Sequence, residues 1–461
     1  MSLVWTSSDA EAATLGEANR AFVATGLSID TRTLKPGDLF VALKGDARDG
    51  HDFVGAAFAA QAAAALVARA VPDLAADAPL LTVANTLRGL EDLAQAARTR
   101  SRAQIVAVTG SVGKTTTKEM LRLAMGALGH VHASAGSYNN HWGVPLSLAA
   151  LPENCDFGVF EVGMNHFGEI RALNRMVRPH VALITTVAPA HLEFFVNCEA
   201  IADAKSEIFE AVEPGGAALI PADSPYAERL RRRAHQARVS RILGFGSEAG
   251  CAARLTSFDA DGDTTRVRAD ILGRAVQFRL GAAGLHNATN AIGALLAVAV
   301  LEGDVLNAAA ALSEFAALKG RGASFDIKAG GGTARVIDES YNANPASMEA
   351  ALANLGAAPA RRRIAVLGDM RELGSESKQL HAGLADAIEA ARADVVVLCG
   401  ADMAALWDKI PDSRRGAYGV SSAEISHAVV GLIDDGDVVL VKGSFGSKMA
   451  VVIDALRAKG G

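Results

Sequence analysis

Cysteine is scarce in this 461-residue sequence, and what there is lies scattered. Cys155, Cys198, Cys251 and Cys399 form no C-x-x-C pair. That excludes a disulfide framework and a zinc knuckle, and it suits a reduced compartment. Aromatic residues are also few, at 5%, although hydrophobic residues reach 50%. The apolar material is therefore mostly Ala, Val and Leu, which suits helices packed on parallel strands. A basic excess is missing as well: 45 Lys and Arg against 51 Asp and Glu leave a net charge of -6. Non-specific nucleic-acid binding needs a basic footprint. A phosphorylated small substrate is still compatible, because a local pocket can be basic on an acidic protein. No apolar run is long enough to span a bilayer, and the longest, residues 291–301, reads as a buried helix. The first ten residues carry Asp9 and no basic stretch, so no signal peptide is expected. The expectation is a cytoplasmic monomer that binds neither nucleic acid nor membrane.

What is present falls into three blocks, in line with a prior of about 150 residues per domain. Residues 1–84 hold Asp30-Thr31-Arg32, a turn at 35–38, a strand-like run at 39–43, an Ala-rich helix from Phe53 and a short strand at 64–67. Residues 85–318 open with a helix at 87–98, whose apolar positions are spaced by three and four. Apolar strands at 105–108, 157–162, 181–187 and 217–220 then alternate with helices. Residues 319–461 repeat that pattern with strands at 336–338, 364–367, 395–398 and 438–441. Strand–helix alternation reads as βαβ units, so the fold class is α/β with mostly parallel sheets.

The run Ile105-Val106-Ala107-Val108 leads into Thr109-Gly110-Ser111-Val112-Gly113-Lys114-Thr115-Thr116, followed by a helix containing Lys118, Glu119 and Leu121. Strand, glycine loop, Lys-Thr and helix together form the context of a phosphate-binding loop. Glycines let backbone N–H groups approach phosphate, and the helix N-terminus adds positive potential. Lys114 suits the β- and γ-phosphates, and the Thr115 hydroxyl suits Mg²⁺. The loop departs from the common form, because Val108 stands five residues before Gly113 and the pattern is G-x-x-G-K-T. An ordinary glycine-rich turn with a chance Lys-Thr is the competing reading.

Three later residues stand out. Glu161 closes the run at 157–160, and His191 follows the strand at 181–187. Parallel sheets bind ligands at the carboxyl ends of their strands. A carboxylate and an imidazole there are plausible metal ligands, or else a capped strand end and a satisfied core histidine. Lys205 is i+4 from Ile201 and i−4 from Phe209, on or beside a stripe of Ile201, Ala204, Ile208 and Val212. A buried cation is costly unless paired; a snorkelling lysine is the alternative.

Together these residues resemble the Mur ligase family. The match includes the phosphate loop, Glu161, His191, Lys205, the segment Gly284-Leu285-His286-Asn287-Ala288-Thr289-Asn290, Arg321 and Asp338, in order and in rough spacing, over essentially the whole chain. The resemblance implies three domains: a small N-terminal α/β domain that holds a UDP-muropeptide, a central P-loop ATPase, and a C-terminal Rossmann-like domain that closes over the site. It implies that residues 109–116 hold ATP and that Thr115 and Glu161 hold one Mg²⁺. His191 and Lys205, the latter as a carbamate, would hold a second Mg²⁺. Asn287 and Asn290 would reach the adenine or nearby groups of ATP, with helix capping as the alternative. Arg321 and Asp338 would approach the nucleotide from the C-terminal side. Asp30, Thr31 and Arg32 would grip the UDP part, unless they form a plain turn.

Within the family, segments 137–145, 161–165, 338–348 and 366–370 are similar to the members that join D-alanyl-D-alanine to UDP-N-acetylmuramoyl-tripeptide. The D-N-P-[RA] signature of the diaminopimelate-adding members is absent. The family often has an Arg after Lys442-Gly443-Ser444; here Phe445 stands there, and Lys448 is the candidate for any anion contact. A folylpolyglutamate synthase is the nearest rival, and the region 30–44 speaks against it. A nucleotide switch without ligation chemistry would not need Glu161, His191 and Lys205 together.

Overall fold

The apolar run after Gln104 becomes the strand Gln104–Thr109, and the central sheet is arranged about it. The computed structural model describes residues 4–190 and 192–460. The central sheet has nine strands. In spatial order they are Arg274–Leu280, Thr264–Ile271, Ala253–Asp261, Arg241–Gly246, Ala217–Pro221, Val181–Ile184, Gln104–Thr109, Phe157–Glu161 and Val131–Ala133. Pairing is parallel from Val131–Ala133 as far as Ala253–Asp261, and antiparallel from Ala253–Asp261 through Thr264–Ile271 to Arg274–Leu280.

After Gln104–Thr109 the chain runs out to the edge strand Val131–Ala133 and returns to Phe157–Glu161. It then crosses to Val181–Ile184 on the other side. The order therefore reverses at Gln104–Thr109, and a crevice opens outside the carboxyl ends of these strands. Glu161 pairs with Val108, and Ile184 with Thr109, so the ends are level there.

The period-two alternation of the strands divides the core. Ile105 and Ala107 face a cluster that also takes in Trp5, Leu39, Leu66, Leu81, Leu90 and Leu93, so the N-terminal sheet and the central sheet share one continuous core. Val106 and Val108 face the helices Lys114–Gly126 and Leu285–Val300 on the other side. The linking helix Thr86–Arg100 begins at Asn85, whose side chain accepts from Arg88 N–H, and it buries Leu90, Leu93, Ala94 and Ala97. Trp5 adds a bond from its indole N–H to the Ala149 carbonyl at 2.9 Å.

The N-terminal sheet has five strands in the order Glu17–Ala18, Leu80–Thr82, Ala64–Val67, Asp38–Val41, Gly26–Ser28, with only the first pair antiparallel. The C-terminal sheet runs Ala323–Ala329, Gly332–Glu339, Asp437–Lys442, Arg362–Gly368, Val395–Cys399, Arg415–Gly419, again with one antiparallel edge pair. Its two faces bury Ala365 and Leu367 on one side and Ile364 and Val366 on the other. Among the described residues no helix is long and apolar enough to cross a membrane.

The structure differs from the sequence reading in several places. The strand at 181–187 ends at Ile184, because the next residue, Thr185, turns to donate its hydroxyl to the Val112 carbonyl at 2.5 Å. The helix of Lys205 ends at Ser206 and continues as a short 3-10 turn, Glu207–Phe209, so Val212 lies beyond the stripe. Strands Arg241–Gly246, Ala253–Asp261, Thr264–Ile271 and Arg274–Leu280 were not expected at all.

Candidate active site

The loop between Thr109 and Lys114 is shaped by steric limits. At Gly110 the backbone has φ 153°, and a Cβ would sit 1.9 Å from the Thr185 hydroxyl, so only glycine fits. No side chain caps the helix Lys114–Gly126, whose first N–H groups face the crevice end of the sheet. Ser111 ties the loop to the next strand end: its hydroxyl donates to the Ala188 carbonyl at 2.9 Å. Lys114 curls back so that Nζ donates to the Gly110 carbonyl at 2.7 Å. Burial pulls its pKa down; Glu161 opposes this, and the Arg321 charge adds to it.

Beside the loop lies a connected set of polar side chains. The Thr115 hydroxyl donates to Glu161 Oε2 at 2.8 Å, and Asn139 Nδ2 donates to Glu161 Oε1 at 2.7 Å. The Ser137 hydroxyl is 3.2 Å from that of Thr115, and it accepts from Arg321 Nη2 at 3.0 Å. The Arg321 guanidinium also lies 4.1 Å over the Tyr341 ring. Arg321, from the C-terminal block, thus reaches the phosphate loop of the central one. Glu161 is 1% exposed, and among the described residues no cationic group lies within ion-pairing distance of it. A buried carboxylate hydrogen-bonded only by neutral donors has no cation in direct contact to offset its charge. Its oxygens and the Thr115 hydroxyl are hard donors, so these residues fit Mg²⁺.

Lys205 is 2% exposed, and among the described residues it has neither a hydrogen-bond nor an ion-pair partner. Loss of solvent drives its pKa well below the usual lysine range, and the neighbouring Lys114 charge drives it further. His191, expected beside it, lies outside the described residues.

Asn290 is buried against the loop: its amide nitrogen is 2.8 Å from where a Cβ on Gly113 would stand. Asn287 donates to the Ala283 carbonyl at 2.7 Å. Neither caps the helix Leu285–Val300, whose N-cap position is Gly284. Thr116 and Val112 complete the loop at its half-buried rim. Asp338 is fully buried; its Oδ1 accepts from the Ser340 hydroxyl at 2.6 Å, while Oδ2 has no partner among the described residues.

Asp30, Thr31 and Arg32 stand apart from the phosphate loop. Arg32 is 84% exposed and pairs with Asp30 at 2.5 Å. Hydrogen bonds from Arg32 hold the Asp30 carboxyl down at about 2. The segment after Ser137 lies between the two regions. Its Trp142 ring reaches within 3.0 Å of the position of a Cβ on Gly45. Sequence reasoning assigned no role to Ser137, Asn139 or Tyr341, although all three lie in segments it had singled out. In the final loop Phe445 is 75% exposed and stands 5.8 Å from the Tyr341 ring.

Comparisons with known proteins agree along the chain. Residues 23–98 match the Mur ligase family catalytic domain, 108–298 the Mur ligase middle domain, and 325–445 the glutamate ligase domain of Mur ligases. The UDP-N-acetylmuramoyl-tripeptide–D-alanyl-D-alanine ligase of Rickettsia prowazekii is 32% identical over 98% of this chain and 99% of its own. The crystal structure of MurF from Acinetobacter baumannii superposes with a TM-score of 0.85 at 30% identity, covering 99% of each chain. MurF ligase from Thermotoga maritima in complex with ADP gives 0.77 at 25% identity, over 94% of this chain and 97% of that one. The chain belongs to the Mur ligase family.

Proposed function

We propose that this chain joins D-alanyl-D-alanine to UDP-N-acetylmuramoyl-tripeptide at the expense of ATP. The observation that carries the reading is the glycine loop with Lys114 set against the buried pair Thr115–Glu161, in a chain similar over its full length to ligases of that name. Residues 1–84 would bind the UDP-muropeptide through Asp30, Thr31 and Arg32. Residues 85–318 would bind ATP, and residues 319–461 would close over it with Arg321 and Asp338.

A carboxylate does not condense with an amine unaided in water. The terminal carboxylate of the muropeptide attacks the γ-phosphorus of ATP, the bond to the bridging oxygen breaks, and ADP departs with that electron pair. The product is an acyl phosphate. The amine of the dipeptide then adds to its carbonyl carbon, inorganic phosphate leaves, and the nitrogen gives up a proton. The anionic nucleophile and the triphosphate repel each other, so positive groups fixed in place beforehand lower the barrier. Lys114 and Arg321 supply two of them. Mg²⁺, when bound, supplies further charge neutralisation, and Thr115 and Glu161 are the residues that would hold it. Asn287 and Asn290 line the nucleotide side. Closure of the C-terminal block excludes water that would otherwise hydrolyse the acyl phosphate.

Lys205 would serve as a carbamate. In its neutral form Nζ attacks the carbon of CO₂, an N–C bond forms, one C=O electron pair moves onto oxygen and a proton passes to solvent. The result is an anionic oxygen donor suited to a second Mg²⁺ with His191. This reading is supported by the burial of Lys205 and by its lack of a partner.

Mass spectrometry of products tests the function. Muropeptide, dipeptide and ATP should give the extended UDP-muropeptide and ADP. Equal turnover of a folate with glutamate would replace this reading with the rival one.

A further inference from the structure

Lys118 takes no part in the chemistry above, yet it is fully buried. It lies one turn into the helix Lys114–Gly126, four residues after Lys114. Its Nζ donates to the Ser134 carbonyl at 2.7 Å and to the Gly136 carbonyl at 2.8 Å, and it pairs with Glu119 at 2.8 Å. An ammonium has three donors, and all three are used. Burying a lysine is expensive unless its donors are met. A leucine or methionine would fill the same volume with no such demand, so the charge has to be explained by what it holds.

It holds the turn at 134–136. That turn is also fixed to the strand bearing Glu161: Ser134 N–H donates to the Val159 carbonyl at 3.0 Å, and Glu161 N–H donates to the Ser134 hydroxyl at 3.4 Å. Directly after it come Ser137, which bridges Thr115 and Arg321, and Asn139, which fixes the second oxygen of Glu161. Trp142 of the same segment reaches Gly45 of the N-terminal block. A single buried ammonium therefore links the phosphate-loop helix to the segment lying between the expected ATP and muropeptide sites.

We infer that Lys118 is a positioning residue. It sets the segment 134–142 so that Thr115 and Glu161, the latter fixed by Asn139, present oxygen ligands to Mg²⁺ in register with the phosphate loop. The inference rests on the ligase reading for its kinetic consequence, but it can be tested without turnover.

Calorimetric titration of ADP, with and without Mg²⁺, reads the effect directly. Lys118→Met should reduce the Mg²⁺-dependent gain in ADP affinity at least fivefold, while affinity for ADP alone stays within twofold. With substrates, kcat should fall tenfold or more. Combined with Asn139→Ala, the double variant should lose less than the product of the two single losses, because both act on Glu161. If Lys118→Met does not fold, Gly136→Val reads the same link from the surface. Gly136 is exposed, has φ 49° and has open space about its Cβ position, so a β-branched residue disfavours the turn without a clash. It should give the same Mg²⁺-specific loss. A folded Lys118→Met that is less heat-stable but keeps its Mg²⁺-linked affinity would overturn the inference. So would a Gly136→Val variant that keeps it. Wild-type protein that binds Mg·ADP but makes no ligation product would instead refute the ligase reading and leave this test standing.

Discussion

Lys114 and Lys205 are two lysines close enough that the charge of one depresses the pKa of the other, and both are desolvated. Their surroundings separate their roles. Lys114 has the Gly110 carbonyl to hold it in the loop and Glu161 nearby to sustain its charge. It should act on phosphate. Lys114→Ala should lower turnover by roughly 10²-fold or more, the range seen when one preorganised electrostatic group is deleted. Near-normal turnover in a folded variant would contradict that role. Among the described residues Lys205 has no partner to sustain a charge. Lys205→Ala should be nearly inactive, and formate or acetate should restore part of the activity by filling the vacated oxygen site. Lys205→Arg keeps a positive charge that cannot be carbamylated and should stay inactive. Substantial activity in the Arg variant, measured by phosphate release, would exclude the carbamate.

At the scale of elements, two features can be tested separately. Arg32 is exposed, and its side chain bonds to Asp30 of the same loop. Arg32→Ala should raise the KM for the muropeptide and leave the constants for ATP and dipeptide nearly unchanged. A change confined to the ATP constant would place the UDP site elsewhere. The helix Thr86–Arg100 joins the N-terminal core to the central one through Leu90 and Leu93. Leu93→Ala should cost about 2–5 kcal/mol, read by denaturant unfolding; a loss below about 1 kcal/mol would mean that the shared core contributes little. The same scale shows what could be read from the sequence. Continuous apolar runs such as Ile105-Val106-Ala107-Val108 mark strands buried on both faces, and those were found. The strand Thr264–Ile271 buries Val267, Ala269 and Ile271 and turns Arg266 and Arg268 outward, so its period of two was hidden among charges. The turns at Gly262 and at Leu272-Gly273, all with positive φ, were the available hairpin signals. The role of Asn139 was not legible, because its partner Glu161 is 22 residues away and only the sheet order brings them together.

For the whole molecule, the three larger sheets divide the chemistry. The strand-order reversal at Gln104–Thr109 sets the phosphate crevice, the five-stranded sheet shares a core with that central sheet, and Arg321 arrives from the C-terminal block. If ligation proceeds through an acyl phosphate inside that enclosure, ATP should not be consumed until every component is in place. The most direct measurement is steady-state phosphate release from ATP and Mg²⁺, with UDP-N-acetylmuramoyl-tripeptide and D-alanyl-D-alanine supplied singly and together. Sustained release should occur only when both are present, with one phosphate per peptide bond formed. Equal release with neither substrate, or with the dipeptide alone, would contradict a ligase.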